Sequence, residues 1–536
     1  MNLHFPMYND LELEENVLRG GNMKMNLRKA YALLLAGAVA VPAMVGFTKT
    51  ASTEVMAASL INTTSVSSTL TEVQNVPKYV FLFIGDGMSY PQFQAASDYL
   101  GAISDPNPEV LKGGKNLSFM NFPVAGSATT FDSTSFAPDS ASTATSISTG
   151  HKTHSGVINM DETKTKSYET IAEKLKEQLG YKIGIITTVN LNHATPAAFY
   201  AHQPSRGNYY EISEELIASD FEYFAGGALL SPTGSTKDKT SSYVLAQQAG
   251  YKVITTQTEA EKLTAADGKA IIIGEVLADS NALSYENDRE NREWALKDYV
   301  EKGIEVLDND NGFFMMVEGG KIDWACHAND AGSTIADTLA LSDAVEEAIK
   351  FYNEHPNETL IIVTGDHETG GLTIGYAGTN YDTYLQNLQN QKLSYAKYDS
   401  DFVSKYKEER TPFETVLKDI KTYFGLMTAN DPDATEDSTL VLTDYELGRL
   451  KSAYDRTMNP KDDMTQEEYV MYGTYEPLSV TITHILNNKS GISFSSYAHT
   501  GLPVAVFAMG NGSDMFKGFY DNTEIYANMA ELLQVK

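Results

Sequence analysis

YVFLFIGDG, residues 79–87, is six apolar residues in a row followed by an acid set between two glycines. An apolar run without polar alternation suits a strand buried on both faces, as in a parallel sheet covered by helices. Similar runs recur in YKIGIITTV (181–189), FFMMV (313–317), TLIIV (359–363) and VAVFAM (504–509). Helical periodicity lies between them, in YETIAEKLKEQLG (168–180), REWALKDYVEKGIEVL (292–307) and IADTLALSDAVEEAIKFY (335–352). Alternating strands and helices predict an α/β fold: a doubly wound, mostly parallel central sheet with helices on both faces.

Four of these runs end in chemically distinctive residues. Asp86 comes after the first, His193 and Thr195 after the second, Glu318, Asp323 and His327 after the third, and Asp366 and His367 after the fourth. Open α/β sheets bind ligands beyond the carboxyl ends of their strands, and glycines there let the backbone come close. An acid after a strand read singly is a helix N-cap, and a lone histidine a satisfied polar residue. Repetition at four strand ends favours a site instead. Asp323 and His327, four apart, share one helix face, whereas the adjacent Asp366 and His367 need an irregular turn. Carboxylate with imidazole suits zinc; carboxylate with hydroxyl suits magnesium. Cys326 reads as a small buried hydrophobe. In APDSASTAT (137–145) a helix is expected to begin near Ser140, where free amides favour an anion. Read alone, Ser140 is a cap; a nearby metal ion would make its hydroxyl a nucleophile.

Composition bounds the alternatives. The 536 residues carry a net charge of −31, against a nucleic-acid-binding surface, and a single cysteine, which excludes an intrachain disulfide framework. Lys24, Arg28 and Lys29 precede the apolar run AYALLLAGAVAVPAMVGF (30–47), the pattern of a secretory signal peptide. Residues 1–57 are therefore expected to be signal peptide and leader, 58–76 a Ser/Thr-rich linker, and the product secreted or held in the cell envelope. No stable membrane span is expected after cleavage, the alternative being an uncleaved anchor.

Asp139-Ser140-Ala141, Gly85-Asp86-Gly87, His193-Ala194-Thr195-Pro196, Glu318-Gly319 with Asp323 and His327, Asp366-His367, and Ala498-His499-Thr500-Gly501 resemble, in order, the motifs of the alkaline phosphatase family. The resemblance covers about 80–375 and 495–536. It implies two zinc ions, one on Asp323, His327 and His499, the other on Asp366, His367 and Asp86 with Ser140 completing it. Asp86 would bridge to one magnesium held by Thr195 and Glu318. Arg206 matches the arginine that grips the substrate phosphate. The implied reaction is hydrolysis of phosphate monoesters, here small phosphorylated metabolites, through a phosphoserine at Ser140. His193 and Trp324 stand where enterobacterial members have Asp and Lys, a pair similar to other bacterial members.

Between Gly371 and Tyr497 lie more residues than a bare strand connection needs. This stretch is charged and Tyr-rich, as in YDRTMNPKDDMTQEEYVMYG (454–473), with a helical pattern over 412–425. The expected division is a core over 77–375 and 496–536, with 376–495 a crown-like insertion, either at a homodimer interface or a solvated excursion. Two rivals keep the metal cage: a phosphodiesterase of the same superfamily, usually with a threonine nucleophile, and a secreted metal- or phosphate-binding protein without turnover. A sulfatase would need Cys/Ser-x-Pro-x-Arg, which Ser140 does not open.

Overall fold

A computed structural model describes residues 76–105, 111–435 and 438–536. The signal-peptide and linker readings therefore fall outside the described residues, except at Val76.

The opening run forms Tyr79–Gly85 (β1), at the middle of a ten-stranded sheet. The other strands are Val124–Thr129 (β2), Lys182–Asn190 (β3), Tyr223–Gly227 (β4), Lys252–Ile254 (β5), Ala270–Ile273 (β6), Phe313–Glu318 (β7) and Thr359–Gly365 (β8). Short pieces follow at Glu368–Thr369 (β9), Thr373–Ile374 (β10), Ile492–Ser493 (β11) and His499–Thr500 (β12), then Val504–Gly510 (β13) and Gly518–Asp521 (β14). The order across the sheet is β14-β2-β13-β8-β1-β7-β3-β4-β6-β5. Within it the described pairings are parallel except those of β13, which runs antiparallel to β8 and β2. The apolar run 504–509 is thus doubly buried but reversed in direction.

Strand alternation explains why the runs are unbroken. Phe81, Phe83, Phe313, Met315, Ile361 and Val363 enter one buried cluster, while Val80, Leu82, Phe314, Met316, Leu360 and Ile362 enter the other. The first face is covered by helices Tyr90–Ser104, Leu296–Leu307 and Ala331–Glu354, the second by Ser140–Thr149, Tyr209–Ala218 and Thr523–Leu533. Truncating a fully buried phenylalanine here, such as Phe81→Ala, would cost about 3–5 kcal/mol. The expected helix at 168–180 forms as one α-turn, Ile171–Lys174, running into a π-turn, Leu175–Leu179, stopped by Gly180 at φ 68°.

Between 376 and 495 the regular structure is mostly helical, including Phe413–Phe424. Its Leu388, Tyr398, Ile420, Phe424 and Leu486 belong to the same buried cluster as Phe81 and Phe83. No helix among the described residues is long and apolar enough to cross a membrane.

Strand register positions the site. Ile84 pairs with Glu318 and Gly85 with Gly365, so Asp86, Glu318 and Asp366 leave the sheet at one level. Thr187 of β3 pairs with Glu318 on the far side.

Candidate active site

The floor of the site is made of buried carboxylates. Asp86, Glu318 and Asp366 are at most 1% exposed. Gly87 N–H donates to Asp366 Oδ1 at 3.1 Å, His367 N–H to the same oxygen at 2.9 Å, and Thr143 Oγ1 to Asp366 Oδ2 at 3.1 Å. Thr195 Oγ1 donates to Asp86 Oδ2 at 3.2 Å, and Thr187 to Glu318 Oε2. Glu318 Oε1 is buried with no hydrogen-bond partner. Burial, reinforced by neighbouring carboxylates, pushes Glu318 up to about 7 and Asp366 up to about 6, and holds Asp86 well above its ordinary range. Crowded buried acids lacking a counter-charge are what a bound cation would stabilise.

The rim is made of imidazoles. Helix Lys321–His327 carries Asp323 and His327 on one face, with His327 Nε2 3.4 Å from Asp323 Oδ1. His499, from β12, places Nε2 3.0 Å from His327 Nε2 and 3.6 Å from Asp323 Oδ1. His367 stacks on His499 with ring centroids 3.7 Å apart. Each Nδ1 has a partner that fixes the tautomer. His327 Nδ1 donates to the Tyr497 carbonyl and His499 Nδ1 to the Pro138 carbonyl, both at 2.5 Å. Thr369 Oγ1 donates to Asp323 Oδ1 at 2.5 Å, so its oxygen accepts from His367 Nδ1 at 3.3 Å. In its neutral form each ring therefore presents an acceptor Nε2: those of His327 and His499 face each other and Asp323, and that of His367 meets Asp86 Oδ1 and Asp366 Oδ2 at 3.3 Å and the Ser140 hydroxyl at 3.1 Å. Lone pairs facing lone pairs are repulsive unless a cation lies between them, so this donor set fits metal ions. Burial, then neighbouring cationic or imidazole groups, lowers His499 to about 3, and burial lowers His367 to about 4. Burial alone would raise Asp323; His327 and His499 hold it far below its usual range.

Among the described residues, groups with ligand atoms mutually within 4.8 Å include Asp86, Asp366 and His367, and Asp323, His367 and His499. The first is the set expected from the sequence. In the second, His367 joins Asp323 and His499 because its ring stacks on His499. The expected trio of Asp323, His327 and His499 is as close, with ligand atoms 3.4 Å (Asp323–His327), 3.0 Å (His327–His499) and 3.6 Å (His499–Asp323) apart.

Ser140 is the first residue of helix Ser140–Thr149, capped by Asp139, whose Oδ1 accepts from Ser142 N–H at 3.1 Å. Ser140 Oγ lies 3.1 Å from His367 Nε2 and 3.4 Å from Asp86 Oδ1. Arg206 donates from Nη1 to Asp139 Oδ2 at 3.0 Å and from Nη2 to His193 Nε2 at 3.2 Å. One carboxylate thus caps the serine helix and orients the arginine. His193 is partly buried, lowered to about 3 by desolvation and then by Arg206, and meets Trp324 edge-on with centroids 6.0 Å apart. Cys326 is fully buried and free, as expected.

The residues that sequence reasoning misses are the hydroxyls behind the ligands. Thr143, Thr187 and Thr369 each hold one carboxylate, and Asp139 holds Arg206. Thr187 and Thr369 interrupt or adjoin apolar segments, the one signal the sequence offers for them.

A serine at a helix N-terminus, between a cation cage and a fixed guanidinium, is equipped for hydrolytic phosphoryl transfer. Comparisons with known proteins narrow that class. The Alkaline phosphatase family model matches residues 77–535, and the chain belongs to this family. It is 28% identical to alkaline phosphatase 4 of Bacillus subtilis over 84% of this chain and 87% of that protein. The cold-active alkaline phosphatase of a psychrophilic Shewanella species superposes with TM-score 0.68 at 27% identity, over 85% of this chain and 99% of that one. A variant of the alkaline phosphatase from the Antarctic bacterium TAB5, with Mg bound in its M3 site, superposes with TM-score 0.57 at 25% identity, over 86% and 99% of the two chains. The chain is accordingly a phosphoric monoester hydrolase.

Proposed function

We propose that the chain is an exported enzyme hydrolysing small phosphorylated metabolites through a phosphoserine at Ser140, with two zinc ions and one magnesium ion per chain. The observation that carries this reading is Ser140 Oγ, on a helix N-terminus, 3.1 Å from His367 Nε2 and 3.4 Å from Asp86 Oδ1. Asp323, His327 and His499 would hold one zinc, and Asp86, Asp366 and His367 the other. Asp86, Thr195 and the unpaired Glu318 Oε1 would hold magnesium. Bound there, these ions lower the pKa of hydroxyl and water oxygens and offset phosphoryl charge.

The chain's own residues do the rest. Arg206, planar and fixed by Asp139, grips two phosphate oxygens, and the free amides of the Ser140–Thr149 helix face the same anion. Ser140 Oγ attacks phosphorus in line; the Ser–O–P bond forms as the ester P–O bond breaks and the alcohol leaves. Water then attacks phosphorus, breaking the Ser–O–P bond and releasing inorganic phosphate. A core over 77–375 and 496–536 with 376–495 as a homodimer-forming insertion belongs to the same reading, supported by the exposed Tyr469, Val470 and Met471.

Ser140→Ala tests it. Metal content and melting temperature should stay at wild-type values, while p-nitrophenyl phosphate turnover falls by roughly 10^3-fold or more. Acid-quenched wild-type enzyme should carry labelled phosphate on Ser140. Label trapped on another residue would refute the assignment.

A further inference from the structure

Arg206 ends the segment His202-Gln203-Pro204-Ser205-Arg206, which leads into helix Tyr209–Ala218. The tip of its side chain is fixed by Asp139 and His193, but its base is fixed elsewhere. Arg206 N–H donates to the Gly156 carbonyl at 2.8 Å, and Gln203 exchanges backbone hydrogen bonds with Ile158, both at 3.0 Å. The start of the segment is tied to one carboxylate, Glu215. Its Oε2 accepts from His202 N–H at 2.6 Å and lies 3.2 Å from His202 Nδ1, and its Oε1 accepts from Gln203 Nε2. On the other side of the ring, His202 Nε2 lies 3.0 Å from the Tyr168 carbonyl and 3.3 Å from Glu173 Oε2.

Every group meeting the His202 ring nitrogens is an acceptor only. Both nitrogens must therefore donate, and the ring must be an imidazolium. We propose that His202, as a cation bridging Glu173 and Glu215, is a positioning residue that sets the reach of Arg206 toward the substrate phosphate. Glu173 and Glu215 outweigh the burial of the ring and push His202 up to about 10, so the bridge persists into alkaline solution. The pair also joins two elements on either side of the Arg206 segment. Glu173 lies on helix Ile171–Lys174 and Glu215 on helix Tyr209–Ala218. A bidentate guanidinium grip tolerates displacements of only about 0.5 Å, so releasing the segment's base should loosen the grip without touching the nucleophile.

This inference rests on the reading of Arg206 as the phosphate grip, and a mutant cycle separates the two. The full-length, metal-loaded enzyme is assayed with p-nitrophenyl phosphate and inhibited with inorganic phosphate, in wild type, His202→Ala, His202→Asn, Arg206→Ala and His202→Ala/Arg206→Ala. His202→Ala should raise KM and the phosphate inhibition constant about five- to tenfold, with kcat within about twofold of wild type. His202→Asn, which keeps a donor toward Glu215, should recover part of that loss. On the Arg206→Ala background, His202→Ala should change neither constant further. Wild-type constants in His202→Ala, or the same factor on both backgrounds, would overturn the positioning role. Unchanged phosphate inhibition in Arg206→Ala would instead overturn the grip itself. Should His202→Ala fail to fold, Glu173→Gln enters the same cycle with about a threefold effect expected, and its absence would count against the proposal equally.

Discussion

The carboxylate floor and the imidazole rim of the site solve opposite electrostatic problems. The floor residues Asp86, Glu318 and Asp366 leave adjacent strands in register and are almost wholly buried, whereas the side chains of His327 and His499 are 26% and 13% exposed. The floor accumulates negative charge that burial makes costly, and strand geometry prevents the carboxylates from moving apart. The rim accumulates neutral lone pairs aimed by loop carbonyls, those of Tyr497 and Pro138. A cation at the floor should thus contribute mainly to folding stability, and a cation at the rim mainly to turnover.

Metal removal breaks the comparison most severely. Chelation should abolish activity, and the metal-free protein should show a pH dependence that the loaded protein lacks. The folded-state values of Glu318 and Asp366 are raised, to about 7 and about 6. Their contribution is therefore fully present below the unfolded values of about 4 and lost as pH rises toward about 7. Thermal melts in excess chelator should fall across this window, while melts with zinc and magnesium stay flat or rise. Retained activity after prolonged chelation would remove the metal reading altogether.

Single ligands come next. Asp86→Asn removes the carboxylate beside both Ser140 and Thr195. It should lower kcat/KM on the order of 10^3-fold or more, and lower the melting temperature of the loaded enzyme. His499→Ala should cost on the order of 10^2-fold in kcat/KM while leaving the melting temperature nearly unchanged. Equal thermal penalties would erase the distinction between floor and rim.

The smallest effects are expected beside Arg206. Trp324→Lys adds a cation near phosphate and should tighten inhibition by inorganic phosphate a few-fold, roughly the strength of one partly screened charge pair. His193→Asp should raise magnesium affinity relative to zinc, and it would replace the neutral acceptor of Arg206 Nη2 with a charged one. Inhibition constants and metal content measured on both variants check this. No change in either would mean that the edge-on pair of His193 and Trp324 serves packing alone.

Burial decides how much of this is legible in the sequence. Strands buried on both faces, β1, β3, β7 and β8, need apolar residues at nearly every position, so they stand out, and their ends mark the ligands. β2, with VAGSAT, has only two fully buried residues, and β5 is a three-residue edge strand, so neither carries a run. The reversed direction of β13 leaves no trace in composition, since both orientations bury the same side chains. Ligands are readable because their chemistry is unusual after a strand; Thr143, Thr187 and Thr369 are not, because a threonine in or beside a regular element has many ordinary uses. The Glu215–His202 bridge spans 13 residues across a loop, a spacing no helix or strand period flags.

Metal stoichiometry of the wild type and two variants tests the central claim most directly. Elemental analysis of enzyme equilibrated with zinc and magnesium should give about two zinc and one magnesium per chain. His499→Ala should retain the magnesium and about one zinc, whereas Glu318→Gln should retain both zinc ions and lose the magnesium. Loss of every ion together in either variant, or a wild type holding a single zinc, would contradict a floor and a rim that bind their cations separately.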